Sequence, residues 1–443
     1  MKIVIAGAGE VGRHLAKMLS NEEQDIIIMD TEENKLAVLD QYNLMTYHGS
    51  ATSWSDLKDV KVSSAHLFVA VTPYEARNLL ACQMAKRLGA RKTLARIDNS
   101  EFLLKKHLPF FSELGINHLI YPEYLAAAEI KASLKYTWVR NWFEMFDGQL
   151  IVLGVKLREN SILVGKRLRD LGPESSFLHL CAIKRNREII IPRGDDSLEP
   201  NDIAYVATMR QYVDDVARVC GKEHIPVERV FIMGGTEIAE QLVRMVGDRY
   251  RIKVVDPDLE RCRYFAESLP QCVVVHGDAR DTDLLEEEGL SDYNVFVALT
   301  DSSEANILGC LMAKENGVRK TIAHVENLQY INEAEALNIG TIINKKLLAS
   351  SRIFQIMLDN DEADARSLAL ADAEVAEFII KDGARVTRGE IKDLRLPQNM
   401  TIAGLVRNGT GQLVKGDTRL QAGDHVVVFC LNGVVHNIEK VFS

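Results

Sequence analysis

KIVIAGAGEVG, residues 2–12, is an apolar run that passes through a glycine-rich turn into the start of an amphipathic segment. Gly7, Gly9 and Gly12 fit the GxGxxG pattern, and the pattern stands between a predicted strand and a predicted helix, as a dinucleotide-binding turn requires. We expect Gly7 to make the tight turn, Gly9 to let the backbone approach a pyrophosphate and Gly12 to allow close helix packing. The free N–H groups of the helix N-terminus predict an anionic ligand. The alternative is a strand-to-helix turn that binds nothing.

A carboxylate follows the second predicted strand. Asp30 ends the apolar run 26–29 and lies 23 residues after Gly7. An acid at this place accepts hydrogen bonds from the hydroxyls of an adenosine ribose and repels a 2′-phosphate. The sequence therefore favours NAD(H) or an adenine nucleotide over NADP. The alternative is a solvated aspartate at a strand end.

The chain contains an internal repeat. CQMAKRLGARKTLA (82–95) aligns without gaps on CLMAKENGVRKTIA (310–323), with nine of fourteen positions identical, and KIVIAGAGE (2–10) falls on RVFIMGGTE (229–237). Each copy alternates short apolar strands with helical segments, which predicts a parallel sheet with crossover helices. In the first copy the predicted strands form a doubly wound six-stranded pattern: 2–6, 26–29, 44–47, 67–71, 93–97 and 117–120.

The second copy departs from the first at its glycine turn. GGTEIA (234–239) places Thr236 where the first copy has Gly9 and Ala239 where it has Gly12, whereas Asp256 is kept at the end of the second strand. Alanine is accepted at the last position of the pattern, but a β-branched threonine stands where backbone must approach phosphate. We expect the affinity or the ligand to differ between the halves. The alternative is a second fold that is structural and empty.

A second, smaller β-rich domain follows each Rossmann-type pattern. Predicted helices over 123–136 and 345–358 pack either on their own domain or on a second subunit, and short strands separated by turns come after them. We therefore predict an α/β protein with two Rossmann-like doubly wound parallel-sheet domains, each followed by a small β-rich domain. The expected parts are a Rossmann domain (1–122), a connecting helix (123–140), a β-rich domain (141–222), a second Rossmann domain (227–344), a second connecting helix (345–362) and a second β-rich domain (363–443).

Composition narrows the class of protein. A chain of 443 residues that is 47% hydrophobic is long enough for several cores. Its formal charge of −10 opposes the binding of nucleic acid. Seven scattered cysteines show no metal-ligand spacing and predict small core residues in a reducing compartment. Neither a signal peptide nor an apolar run long enough to cross a bilayer is recognisable, so we expect no direct membrane insertion.

The candidate site residues lie at the carboxyl ends of the predicted strands, where open α/β sheets bind ligands. No catalytic pair, carboxylate dyad or metal motif stands out beside them, and the lone His179 is expected in a core, so we predict a binding protein that is no enzyme and holds no metal. Arg96 is expected to pair with a phosphate of the ligand. The alternative is that Arg96 forms a surface ion pair. The predicted cofactor-binding residues are Gly7, Ala8, Gly9, Glu10, Val11, Gly12, Asp30, Thr31, Ser50, Ala51, Thr72, Pro73, Arg96, Gly234, Gly235, Thr236, Glu237, Ile238, Asp256, Asp278, Ala279, Thr300, Asp301 and His324.

Several segments resemble the RCK/KTN domain family. They are GAGEVG (7–12), HGSATS (48–53), VTPYEARN (71–78) and LARIDNSEF (94–102) in the first Rossmann pattern. The small domains resemble the C-terminal companion of that domain through residues 165–171, PRGD (192–195) and LQAGDHVVVF (420–429). The order of domains, with the pair repeated in one chain, is similar to the regulatory subunits of bacterial Trk-type potassium uptake systems.

This resemblance implies a cytoplasmic protein, peripheral at the inner face of the cell membrane. It implies a homo-tetrameric ring on a potassium-conducting membrane subunit, binding of NAD(H) or ATP/ADP in the Rossmann crevices, and control of gating. Ser50 stands where the family often has aspartate, and the second copy keeps Asp278. Two other functions stay open: an NAD-dependent oxidoreductase, and an RCK regulator of a potassium exporter or antiporter.

Overall fold

The computed structural model describes residues 1–20, 25–172, 175–186, 188–223, 226–358, 365–369, 373–394, 396–431 and 441–442. The chain divides into two compact units. One consists of Met1–Leu125 with Lys345–Asn360, and the other of Ala126–Asn344 with Asp361–Ser443. The first unit holds one parallel sheet, and the second holds another parallel sheet together with two antiparallel sheets.

The first parallel sheet has the strand order β3-β2-β1-β4-β5-β6, which makes it doubly wound, as the sequence predicts. Strand β1 contributes Ile3 and Ile5 to the core on one face and Val4 and Ala6 to the core on the other. Burial on both faces explains the unbroken apolar runs of the sequence. The elements are β1 (Lys2–Ala6), α1 (Glu10–Ser20), β2 (Asp25–Asp30), α2 (Glu33–Ala37), β3 (Met45–His48), α3 (Trp54–Asp59), β4 (Leu67–Ala70), α4 (Glu75–Leu88), β5 (Lys92–Arg96), α5 (Leu108–Glu113), β6 (His118–Ile120) and α6 (Pro122–Lys135).

The first antiparallel sheet follows in the second unit, with the order β10-β9-β11-β8-β7. Strand β7 forms one edge of this sheet. Its sequence, NWFEM, lacks the alternation of apolar and polar residues that is typical of a strand. Its backbone is held in the extended conformation by antiparallel pairing with β8. The elements are β7 (Asn141–Met145), β8 (Leu150–Lys156), β9 (Leu178–Arg185), β10 (Glu188–Ile190), β11 (Ile203–Thr208) and α7 (Val213–Val219).

The second parallel sheet repeats the order of the first, β14-β13-β12-β15-β16-β17. The repeat seen in the sequence is therefore a repeat of topology, and the prediction of two doubly wound sheets is confirmed. The elements are β12 (Arg229–Met233), α8 (Glu237–Val246), β13 (Arg251–Asp256), α9 (Leu259–Ser268), β14 (Cys272–His276), α10 (Thr282–Glu287), β15 (Val295–Ala298), α11 (Ser303–Glu315), β16 (Lys320–His324), α12 (Ile331–Ala336), β17 (Thr341–Ile343) and α13 (Lys345–Leu358).

The second antiparallel sheet has the order β18-β19-β22-β20-β21 and packs on the first antiparallel sheet. Tyr205 and Phe429 meet in their common core with ring centroids 5.5 Å apart. His179, which the sequence places in a core, bridges the same two sheets: its ring nitrogens lie 3.2 Å from the carbonyl oxygen of Val414 and 3.2 Å from Oγ1 of Thr401. The strands are β18 (Ala365–Ala369), β19 (Ala373–Ile379), β20 (Met400–Arg407), β21 (Thr410–Leu413) and β22 (His425–Leu431).

Helix α13 follows the second parallel sheet in sequence but belongs to the first unit. Ile353, Phe354 and Met357 are buried in the same core as Leu15 of α1. Of the two packings that the sequence leaves open, packing on its own domain is therefore wrong for this helix. The last four residues of the predicted connecting helix, 359–362, lie outside the described residues.

The described helices are all too short or too polar to span a lipid bilayer. The seven cysteines are free thiols, and all of them except Cys272 are buried. Their place in the cores agrees with the prediction that they act as small apolar residues.

Candidate nucleotide-binding sites

The first glycine turn joins β1 to α1 with the geometry that the GxGxxG pattern predicts. Gly7 has a φ of +108°, a conformation that other residues rarely adopt. A Cβ atom at Gly12 would lie 1.9 Å from the carbonyl oxygen of Gly7, so only glycine lets the helix start this close to the turn. A Cβ atom at Gly9 would have no protein atom within 4 Å. The backbone at Gly9 therefore borders open space in front of the helix N-terminus.

Asp30 is bound to this turn. Its Oδ2 accepts a hydrogen bond of 2.6 Å from the N–H of Ala8, and its Oδ1 accepts one of 3.0 Å from the N–H of Glu32. The carboxylate thus holds the glycine turn against the end of β2. Each carboxylate oxygen has a further lone pair, so the same group can accept from a ribose hydroxyl without giving up its backbone partners.

Asn78 fixes the ends of β4 and β5. Its Oδ1 accepts from the N–H and the hydroxyl of Thr72 at 3.0 and 2.6 Å, and its Nδ2 donates to the carbonyl oxygens of Thr72 and Arg96 at 2.9 and 3.0 Å. Asn306 makes the same four bonds with Thr300 and His324. The sequence signal for this role is an asparagine at the same place in both copies.

Arg96 has acidic neighbours in the first unit. Its Nη2 lies 3.7 Å from Oδ1 of Asp98 and 3.9 Å from Oε1 of Glu123, and the same oxygen of Glu123 lies 3.1 Å from Nζ of Lys345. Burial raises the pKa of Asp98, and Arg96 opposes that rise. The ion pair that the sequence leaves open for Arg96 is therefore present, although the side chain is more buried than a surface pair.

Glu10 lies at the start of α1, next to the turn, and forms an ion pair with Lys346 of α13. This ion pair links the N-terminus of α1, which borders the candidate ligand site, to α13. Glu75 is a second positioning residue that the sequence did not reveal: its Oε2 accepts from the N–H groups of Asp98 and Asn99 at 2.8 and 2.9 Å.

The second turn keeps the same carboxylate contact but differs in its glycines. Oδ2 of Asp256 accepts a hydrogen bond of 2.6 Å from the N–H of Gly235, and Gly234 has a φ of +103°. The hydroxyl of Thr236 donates to the carbonyl oxygen of Leu299 at 3.0 Å, which fixes the threonine side chain against the end of β15. Ala239 is fully buried where the first copy has Gly12.

The charged residues around the two sites differ. Asp256 is only 4% exposed, whereas Asp30 is half-buried. In the second copy Nε and Nη2 of Arg280 donate to Oδ1 and Oδ2 of Asp278 at 2.9 and 2.6 Å, and Arg280 lowers the pKa of that carboxyl. Ser50, at the matching place in the first copy, donates its N–H to Asp56 at 2.7 Å instead. The second site therefore has a neutralised ion pair where the first has a neutral hydroxyl.

The remaining predicted residues are scattered over the same edges. Ala51 and Ala279 are buried, so their side chains belong to the core, and Val11 and Ile238 likewise pack inward. Thr31, Pro73, Glu237 and Asp301 are exposed. The carbonyl oxygen of Thr31 lies 3.0 Å from Nε2 of His48, and Oδ2 of Asp301 lies 3.8 Å from Nη2 of Arg261.

The sequence matches known domains over four ranges and known proteins over its whole length. The TrkA-N domain matches residues 3–122 and 230–345, and the TrkA-C domain matches residues 152–221 and 375–443. The chain is 30% identical over 451 residues to the Trk system potassium uptake protein TrkA of Halomonas elongata, covering 100% of this chain and 99% of that protein. It is 30% identical over 464 residues to the protein of the same name from Haemophilus influenzae, with the same coverage.

The fold is also similar to a solved structure described as the GsuK channel bound to NAD. The TM-score is 0.61 at 15% sequence identity, and the match covers 100% of this chain and 78% of that chain. At this identity the likeness concerns the fold.

Proposed function

This chain belongs to the family of proteins that carry TrkA-N and TrkA-C domains in tandem, and from that premise we propose that it senses nucleotides for a Trk-type potassium uptake system. One observation carries the proposal: in both copies a glycine turn is bound at 2.6 Å to the carboxylate that ends the second strand. That pairing forms the pyrophosphate and ribose half-sites of a dinucleotide fold. The named relatives supply the potassium uptake system.

The ligand of the first site is NAD(H) or ATP/ADP. Open space in front of Gly9 and the N–H groups at the start of α1 suit a pyrophosphate, and Asp30 suits an unphosphorylated ribose. The NAD bound to a channel of the same fold supports this choice. We propose weaker or different binding at the second site, because Thr236 adds a side chain where the first copy has only backbone.

Binding, rather than turnover, is the proposed output. The chain acts as a homo-tetrameric ring at the inner face of the cell membrane, on a potassium-conducting membrane subunit, and nucleotides change its shape. A ligand shifts such an equilibrium only by its difference in affinity for the two shapes. Asp30 couples the ligand to the turn, and Glu10 couples the turn to α13 through Lys346, so the first unit contains a continuous path from the site to a distant segment of the chain.

Calorimetric titration of NADH, NAD, ATP and ADP into the full chain tests the proposal. We expect Asp30→Ala to abolish the tighter binding event and Asp256→Ala to affect a weaker one. Asp25→Asn is the matched control, because Asp25 is an exposed carboxylate at the other end of β2. Absence of binding for all four nucleotides, or loss of binding in the Asp25 variant to the same extent, contradicts the proposal.

A second experiment measures potassium uptake by cells that carry the membrane subunit with either the wild-type chain or Asp30→Ala. We expect uptake to depend on the ratio of nucleotides only with the wild-type chain. Rapid reduction of bound NAD by a metabolite contradicts the non-enzymatic role and favours the oxidoreductase alternative.

A further inference from the structure

A cavity of about 520 Å³ lies in the second unit between the first antiparallel sheet and the second parallel sheet. Basic residues in its lining outnumber acidic ones by seven to one. We propose that this basic cavity binds a small anion with several phosphates, at a place separate from both glycine turns. The residues that carry the argument are Arg140, Lys156, Arg158 and Lys222 from the side of the antiparallel sheet, and Lys314 and Lys320 from the side of the parallel sheet.

The cations of the basic cavity converge on uncharged oxygens. Nη2 of Arg140 and Nζ of Lys156 donate to the same atom, Oδ1 of Asn338, at 2.8 and 3.0 Å. Nζ of Lys314 donates to the main-chain oxygen of Asn338, and Nζ of Lys320 donates to the main-chain oxygen of Val139 at 3.1 Å. These acceptors satisfy hydrogen bonds but carry no charge, so the repulsion between the cations is not cancelled.

Arg158 and Lys222 both line the basic cavity, and no ion pair among the described residues includes either of them. Three acids lie in the neighbourhood. Glu129 on α6 interacts with Lys320 and opposes the lowering of the pKa of that lysine. Glu223 is exposed at the edge of the lining, and Glu335 pairs with Lys184 at 2.8 Å, outside the lining. Glu335 also raises the pKa of Arg140 and Lys156, but other effects on both groups are larger. With seven basic residues and one acid in its lining, the basic cavity therefore keeps an excess of positive charge at neutral pH.

Burial and the excess of positive charge together lower the pKa of two lysines of the basic cavity. Burial and then the cationic neighbours Arg140, Lys314 and Arg158 lower the pKa of Lys156 to about 8. Burial and then Arg158 lower the pKa of Lys222, also to about 8. Nearby like charges disfavour the charged form of a lysine, and an anion placed among them favours it. A bound polyanion would therefore draw protons onto both lysines near pH 8.

Size and geometry select the class of ligand. A volume of this size is typical of sites for small molecules. Arginine and lysine are the common partners of phosphate oxygens, the former through its planar fork and the latter as a point charge. A single chloride or phosphate neutralises only part of the excess charge. A compound with two or more linked phosphates matches both the volume and the number of cations.

The test is a calorimetric titration of inorganic tripolyphosphate into the full chain, with NADH present at saturation so that the glycine turns are filled. We expect one site per chain. The double variant Arg158→Gln and Lys222→Gln is expected to bind at least tenfold more weakly. Lys166→Gln removes the same charge from an exposed place in the same domain and is expected to bind like wild type.

Repeating the titration at pH 8 in two buffers of different ionisation enthalpy measures proton uptake, which we expect to be smaller in the double variant than in wild type, because the variant lacks Lys222 but keeps Lys156. No binding at millimolar tripolyphosphate, or equal weakening in the Lys166 variant, overturns the proposal. Competition by NADH also overturns it, because the anion then occupies a glycine turn. A chain that binds tripolyphosphate but no nucleotide upholds the basic cavity and contradicts only the nucleotide-sensing role.

Discussion

The side-chain amide of Asn78 donates a hydrogen bond of 3.0 Å to the carbonyl oxygen of Arg96, so that a residue on α4 fixes the end of β5. The same amide also bonds to Thr72 at the end of β4. The crevice between these strand ends therefore keeps its shape through a buried polar side chain rather than through the ligand.

Asn78→Ala is expected to lower the free energy of unfolding by roughly 2–4 kcal/mol, because it leaves several buried backbone groups without partners. Chemical denaturation measures the change. Asn34→Ala, at an exposed position on α2, is the control and is expected to stay within about 0.5 kcal/mol of wild type. A loss of similar size in both variants contradicts the role of Asn78.

Alanine substitutions at Gly9 and Gly12 are expected to have different effects on nucleotide binding and on stability. Gly9→Ala has room for its Cβ, so we expect stability within about 0.5 kcal/mol of wild type but weaker nucleotide binding at the first site. Gly12→Ala forces its Cβ onto the carbonyl oxygen of Gly7, so we expect loss of both stability and binding. Denaturation curves and calorimetry on the same samples check both outcomes. Unchanged binding in the Gly9 variant contradicts the approach of a phosphate at this turn.

Thr236→Gly is expected to strengthen nucleotide binding at the second site by about tenfold, which corresponds to roughly 1.4 kcal/mol. The change removes a side chain from the turn and releases the carbonyl oxygen of Leu299. Calorimetry on the Asp30→Ala background isolates the second site. Weaker binding than in the background variant shows that the threonine hydroxyl contributes to the site instead of obstructing it.

The sequence predicted the two doubly wound sheets and the glycine turns, because strands buried on both faces and GxGxxG turns are local patterns. It did not predict the position of α13, because Phe354 and Ile353 are apolar in either packing and only the tertiary structure decides which core receives them. Nor did it reveal the basic cavity, since Arg140, Lys156 and Lys320 are far apart in sequence and meet only when the first antiparallel sheet packs beside the second parallel sheet.

Because the pKa of Lys320 is lowered in the folded protein, we expect the stability of the chain to depend on pH. Burial, and then repulsion by Arg140, lower its pKa to about 7 from an ordinary value of 10.5. Between these two values the unfolded chain binds more protons at this lysine than the folded chain does, so its contribution to stability rises as the pH increases from about 7 to 10.5. Glu129 opposes the lowering. Below pH 7 the lysine is charged in both the folded and the unfolded chain, so it no longer makes the free energy of unfolding depend on pH.

Comparison with Lys320→Met isolates this slope from other titrating groups. The free energy of unfolding, measured by denaturant at several pH values, is expected to rise less steeply above pH 7 in the variant. Lys131→Met, which replaces an exposed lysine on α6, is the control and is expected to keep the wild-type slope. Equal slopes for wild type and Lys320→Met mean that the lysine stays charged in the folded protein.

Phe354 tests whether α13 is a permanent part of the first unit. The side chain is 4% exposed and lies in the core that α1 shares with β1. Phe354→Ala is expected to lower the free energy of unfolding of this unit by about 3–5 kcal/mol, since it removes a large buried side chain and leaves a cavity. Hydrogen exchange measures the effect locally: faster exchange is expected in β1 and α1, with little change in the antiparallel sheets.

Ser351→Ala, on the same helix, is the control and is expected to leave exchange in β1 unchanged. If Phe354→Ala alters exchange only within α13, the helix packs on the first unit too weakly to carry a signal from Glu10, and the path proposed from the glycine turn to the rest of the chain fails there.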